Sequence, residues 1–278
     1  MATEQFVQPE QPKPPFLKQA ALLWVLGMIG MLAMLPAAFH LGGQQMSAEL
    51  EKKMEEAGIN YGILGALMVV QLALYIAGVT CLGLWASRKL GLRAPLTEAI
   101  VLRQPIGPVL RDFALVSILG GAFVGVAVVL LDVFIFEPLS TPVEGPVPAR
   151  PAIWMGALMS LDGGLTEELI CRLMLMSLLA LLLRWMARVP EGLPDWAAWA
   201  AIALAAILFS LGHLPALAAT SAITPVAVAK TLVLNGLVAG LAGWLYWKRG
   251  LESAMLAHWV VDLILHVIAS PLLGAFGQ

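Results

Sequence analysis

Long apolar runs separated by short polar segments recur along the whole chain. They lie at 17–39, 61–86, 113–136, 151–183, 197–219, 222–247 and 251–272. A helix crosses a bilayer with roughly 20 apolar residues, so each run is a candidate span. Backbone groups in lipid must be satisfied within the segment, which makes helices the expected form. The pattern predicts an all-α, polytopic fold of seven spans, with the functional groups inside the bundle. Residues 44–58 (QQMSAELEKKMEEAG) predict a short surface helix. Residues 137–151 hold Pro138, Pro142, Pro146, Pro148 and Pro151 and predict an extended loop. Residues 1–16, with Pro9, Pro12, Pro14 and Pro15 among polar groups, predict a disordered tail. That leaves 17–278 as one membrane domain, with no internal repeat and no second soluble domain.

Composition agrees with a lipid solvent. Hydrophobic residues make up 60% of the 278 and charged residues 12%, and the mean hydropathy is +0.88. A soluble domain of this size needs more charge to cover its surface. The net charge of −2 comes with no basic stripe, so nucleic acid is excluded as a partner. Cys81 and Cys171 sit in apolar runs without metal-type spacing and read as small core residues. The first apolar run is too long for a cleaved signal, so it reads as a retained span. With the N-terminus inside, eleven basic residues fall on the cytoplasmic side: Lys13, Lys18, Arg88, Lys89, Arg93, Arg103, Arg111, Arg184, Arg188, Lys248 and Arg249. Lys52, Lys53 and Arg150 fall opposite, which is a positive-inside bias. The expected location is a cell membrane of the bacterial inner-membrane kind, with a cytoplasmic N-terminus. Trp196, Trp199, Trp244 and Trp247 near span ends read as interface anchors.

Three clusters of ionisable groups lie where lipid should exclude them. A charge at the bilayer centre costs a few kcal/mol at least, so each cluster is a functional candidate. The first is Asp162-Gly-Gly-Leu-Thr-Glu167-Glu168-Leu-Ile-Cys-Arg172 in span 4. Glu168 and Arg172 are spaced to pair along one helix face. Glu167 points about 100° away without that partner, which suits a general base. Gly163-Gly164 is read as an interruption that sets the acids near a new helix N-terminus. The second is Phe209-Ser-Leu-Gly-His213, followed by Pro215, in span 5. The third is His258-Trp-Val-Val-Asp262 in span 7, with His266 one turn on, all along one face. Structural readings compete at each: an ion network, an interior histidine and a helix–helix hydrogen-bond rung. Lys230 reads as snorkelling to the outer surface, Asn235 as interhelical glue, Asp132 as wetted and His40 as interfacial.

Glu-Glu-x-x-x-Arg, Phe-x-x-x-His and His-x-x-x-Asp, in this order on successive hydrophobic segments, resemble the CAAX protease and bacteriocin-processing family. These are intramembrane endopeptidases related to type II CAAX prenyl proteases. The resemblance covers roughly 150–270, the protease-like core. It implies that Glu167 activates water with help from His213, that His258 and Asp262 stabilise an oxyanion, and that Glu168 and Arg172 hold the geometry. His266 lies outside the family pattern. The family carries Asn or Asp at the last position, and an ionised Asp262 would repel an oxyanion, so it should orient His258 or be protonated.

The residues themselves leave the mechanism open. No serine or cysteine nucleophile accompanies a base in these clusters. Glutamate and histidine can activate water directly, the favoured form, with no cofactor. Alternatively Glu167, His213 and His258 could hold a zinc ion that does so, although the His-Glu-x-x-His motif is absent. The expected partners are the lipid bilayer and a peptide or protein substrate at the membrane. Two other classes compete: a proton-coupled transporter, and a non-catalytic immunity or scaffold protein. Counted from the cytoplasmic ends, Glu167 and His213 lie about 25 Å in, but His258 only about 10–12 Å. Vertical offset, a break at the glycines or misjudged span ends would explain the mismatch. His266 fits the depth better and stands in reserve.

Overall fold

The computed structural model describes residues 13–42, 53, 56–58, 60–140, 152–220 and 223–272. Among these there is no strand, and seven helices are long and apolar enough to cross a membrane. Span 1 is Phe16–Ala37, span 2 Gly62–Leu90, span 3 Ile106–Leu139, span 4 Ile153–Met186, span 5 Asp195–Gly212, span 6 Pro225–Arg249 and span 7 Leu251–Leu272. Most of the expected surface helix, the proline-rich loop from 141 on and tail residues 1–12 lie outside the described residues. The tail expected over 1–16 is too long at its inner end. Phe16 already begins the first helix, and the Pro14 carbonyl accepts a hydrogen bond from Arg88 Nη2 at 2.7 Å.

Two span ends differ from the hydropathy pattern for identifiable reasons. Span 3 starts at Ile106, not near 113, because Asp112 meets Arg249 at 2.7 Å and so enters the helix as half of a pair. Span 5 stops at Gly212, not 219, and a separate Leu214–Thr220 helix follows. Pro215 lacks an amide hydrogen, and its ring would crowd the carbonyl four residues back.

Spans 4 and 7 sit at the centre. Span 4 packs on spans 1, 2, 5 and 7, and span 7 packs on spans 3, 4 and 6. Close approach is bought with small residues, since lipid gives helices no hydrophobic reason to associate. At Gly121 in span 3, a Cβ would lie only 2.5 Å from the Ala257 carbonyl oxygen of span 7. The half of the bundle toward the start of span 7 is solid: Leu169, Leu173, Met176, Leu245, Leu251 and Ala254 are all buried together.

The turn between spans 6 and 7 is a single residue, Gly250, at φ +105°, where L side chains are strained. It is clamped from below by the segment after span 2 and its short Pro95–Val101 helix. Leu251 N donates to the Arg93 carbonyl at 3.0 Å, and Thr97 N donates to Glu252 Oε1 at 2.8 Å. Gln19 Nε2 donates to Thr97 Oγ1 at 3.3 Å and Arg88 Nη2 to Gln19 Oε1 at 2.7 Å, which ties span 1 and span 2 to the same belt. Buried Glu252 is thus held by a partner that its own helix does not supply. For the topology, reporter fusions after Arg103 and after Ser140 are expected on opposite sides of the membrane. Both on one side would remove span 3.

Candidate active site

Span 4 does not break at its glycines. Gly163 keeps helical angles (φ −55°, ψ −51°), and the helix instead widens into π winding over Gly163–Glu167 and Leu169–Met176. The expected new helix N-terminus is therefore absent, and dipole stabilisation of the acids falls with it. The glycines serve another purpose. A Cβ on Gly163 would collide with Asp262 Oδ2 and lie 3.5 Å from His258 Nε2. One on Gly164 would lie 2.7 Å from the Trp259 Cβ. Their bare surface lets span 7 settle against the π segment. Such π segments concentrate at functional sites.

Glu168 is the hub. Its side chain is fully buried, and Oε1 takes both His258 Nδ1 at 2.7 Å and Arg172 Nη1 at 2.9 Å. The spacing-based pairing of Glu168 with Arg172 is therefore present, and a second partner from span 7 joins it. A carboxylate oxygen at 2.7 Å accepts, so His258 Nδ1 carries the hydrogen. That leaves Nε2 facing Glu167 Oε2 at 3.8 Å and Asp262 Oδ1 at 3.7 Å. Both exceed hydrogen-bond range and act through charge. The residue that orients His258 is thus Glu168, and Asp262 flanks the opposite nitrogen.

Glu167 is partly exposed, into a cavity of about 770 Å³. His213, His258 and Asp262 line the same cavity, so all four residues expected to be catalytic meet there. His213 comes from the turn that ends span 5, where Pro215 stops the helix. Its Nδ1 lies 3.0 Å from the Phe209 carbonyl oxygen, which can only accept, so Nδ1 is the donor. In the neutral ring, Nε2 then keeps its lone pair.

The depth mismatch resolves as vertical offset. Tyr246 hydroxyl meets Ser177 Oγ at 2.9 Å, so the Gly250 turn lies near the level of Ser177. Span 4 continues from there through Ser177–Met186, about 14 Å further. That matches the difference between the two counts. His258 is level with Glu168, and His266 is not needed in its place. His266 lines the cavity nearer the end at which spans 1, 3, 5 and 7 finish.

The structure also places groups that the spacing did not assign. Asp162 lines the cavity one π turn from Glu167. Lys230 does not snorkel and Asp132 is not merely wetted, for the two pair at 2.6 Å on the cavity wall. Asn235 lines the cavity as well. Cys171 is buried as expected, but Cys81 is exposed on span 2. The His40 side chain lies outside the described residues. Among the described residues no group of three His, Cys, Asp or Glu side chains is drawn together as a metal site, while Glu167, His213 and His258 line one cavity.

Two stability outcomes follow from this packing. Arg172→Ala strands the buried Glu168 charge and is expected to cost about 3–5 kcal/mol, read as lower folded yield and thermal midpoint in detergent. Gly164→Ala meets the backbone-proximal Trp259 Cβ and is expected to cost about 1–3 kcal/mol. Gly163→Ala should cost less, because the Asp262 carboxylate can swing aside. Thermal unfolding of both variants in one detergent checks the order.

Neither a curated protein nor a solved structure matches the chain. A family model does: Type II CAAX prenyl endopeptidase Rce1-like matches residues 149–264. That segment runs from the start of span 4 into span 7 and holds Glu167, Glu168, Arg172, His213, His258 and Asp262. This segment, which carries the buried charges and much of the cavity wall they line, is similar to the type II CAAX prenyl endopeptidases.

Proposed function

We propose that the chain is a glutamate-type intramembrane endopeptidase that cuts a membrane-proximal or lipid-anchored peptide without a metal. The observation that carries this reading is the convergence of Glu167, His213, His258 and Asp262, from three separate spans, on one cavity. Peptide hydrolysis needs a base for water, a donor for the oxyanion and a proton for the leaving amine. Each need has a residue here.

A water held between Glu167 and His213 Nε2 gives its proton to the Glu167 carboxylate. The hydroxide attacks the scissile carbonyl, and the carbonyl oxygen becomes the oxyanion. His258 Nε2–H donates to that oxyanion. Donating from both nitrogens makes the ring an imidazolium, and Glu168 at Nδ1 supplies its nearest counter-charge. Asp262, 3.7 Å from Nε2, adds a second. On this reading it acts on His258 and not on the oxyanion. When the tetrahedral intermediate collapses, the C–N bond breaks and the proton on Glu167 passes to the amine. Arg172, 2.9 Å from Glu168 Oε1, holds that carboxylate in place, so the ring orientation survives each cycle.

Glu167→Gln is expected to leave the fold intact and to lower cleavage about 10²–10⁴-fold, the usual contribution of a positioned base. His213→Ala should lose a comparable factor. The double variant should be little worse than either single, because residues acting as a unit are not additive. The assay is comparison of membrane-protein termini with and without the protein, then cleavage of the identified substrate by purified variants. Wild-type cleavage by Glu167→Gln would defeat the assignment. Inactivation by a chelator, reversed by zinc, would overturn its metal-free form.

A further inference from the structure

Hydrolysis inside a bilayer needs a supply of water, and one helix face looks built to carry it. His258, Asp262, His266 and Ser270 are spaced four residues apart along span 7, and all four line the active-site cavity. An α-helix turns 100° per residue, so three steps of four drift by about 120° around the axis. Span 7 changes to π winding over Leu263–Ala269, where the ladder bonds run to the fifth residue and a step of four falls short of a full turn, which offsets the drift. The change of winding holds the polar residues on one face through the outer half of the span. Exposure rises along the same line. His258 and Asp262 are buried, at 5% and 9%, while His266 and Ser270 are half-buried.

The facing walls agree. Lys230 and Asn235 from span 6, and Asp132 from span 3, give this upper part of the cavity polar groups on its other sides. Met34, Asp132, Lys230 and Ser270 all stand near the ends of their spans on one side of the bundle, the side away from the Gly250 turn. Toward that turn, among the described residues, the packed core around Leu169, Leu173, Leu245 and Leu251 stands between the cavity and the Gly250 end. Polar lining on several walls and room for many waters are the two conditions that hold water in an interior site.

We propose that the His266–Ser270 face of span 7 is a water track, which feeds the catalytic cavity from the side opposite the basic loops. Its purpose rests on the endopeptidase reading, but its existence can be tested without any cleavage. The probe is a charged, membrane-impermeant thiol reagent, which reacts with the thiolate and so needs water at the sulfur. In full-length protein carrying Cys81→Ala and Cys171→Ala, single cysteines are placed by Ser270→Cys, His266→Cys and, on the lipid-exposed face of the same helix turn, Ile268→Cys. Added to the side opposite the Gly250 turn, the reagent should label Ser270→Cys and His266→Cys about tenfold or more faster than Ile268→Cys. Added to the other side, it should label none of them. Equal labelling of the three variants, or labelling of His266→Cys and Ser270→Cys only from the Gly250 side, overturns the track. Ser270→Cys is nearly isosteric, so its labelling remains informative if His266→Cys folds poorly. Failure of the labelling leaves the Glu167 chemistry standing. Failure of Glu167→Gln to alter cleavage leaves the track standing.

Discussion

One carboxylate oxygen governs the centre of this protein. Glu168 Oε1 accepts from His258 of span 7 and faces Arg172 one turn along its own helix. In a medium that cannot solvate charge, each member of this row is tolerable only because the others are there. The row therefore fixes the relative height of spans 4 and 7, and with it the place of every other group in the cavity. The belt of Arg88, Gln19, Thr97 and Glu252 does the same work at the Gly250 end of span 7. Between these two fixed points span 7 has little freedom to slide.

Much of this was legible in the sequence, for physical reasons. Lipid forces long apolar helices, so the seven spans could be counted from hydropathy alone. Spacing of four predicts an ion pair on a helix, and Glu168 with Arg172 forms one. The rarity of buried charge picked out Glu167, His213, His258 and Asp262, which all line one cavity. Contacts between helices were not legible. Nothing in the spacing says that Glu168 reaches across to His258, or that Lys230 turns inward to Asp132. Depth also failed when counted from span ends, because Span 4 runs well past the level at which span 7 begins.

Gly163-Gly164 shows the same limit in another form. A glycine pair in a helix suggests a break when only local propensity is considered. Here tertiary packing decides, since the missing side chains make room for Asp262 and Trp259. The widened winding that accompanies them has no clear mark in the sequence. It changes which residues share a face, so angular arguments that assume 100° per residue lose accuracy in this part of the chain.

The single-residue turn at Gly250 bears on how the protein is made. Span 7 carries Glu252, His258, Asp262 and His266, and an acid at mid-bilayer disfavours insertion by roughly 2.5–3.5 kcal/mol. As an isolated segment leaving the ribosome it would be a poor candidate to enter lipid. Joined by one glycine to span 6, it can enter as the second arm of a hairpin, its polar face turned toward helices already in place. Span 7 then arrives after spans 1 to 6, and the cavity is completed only when those helices are there to receive it.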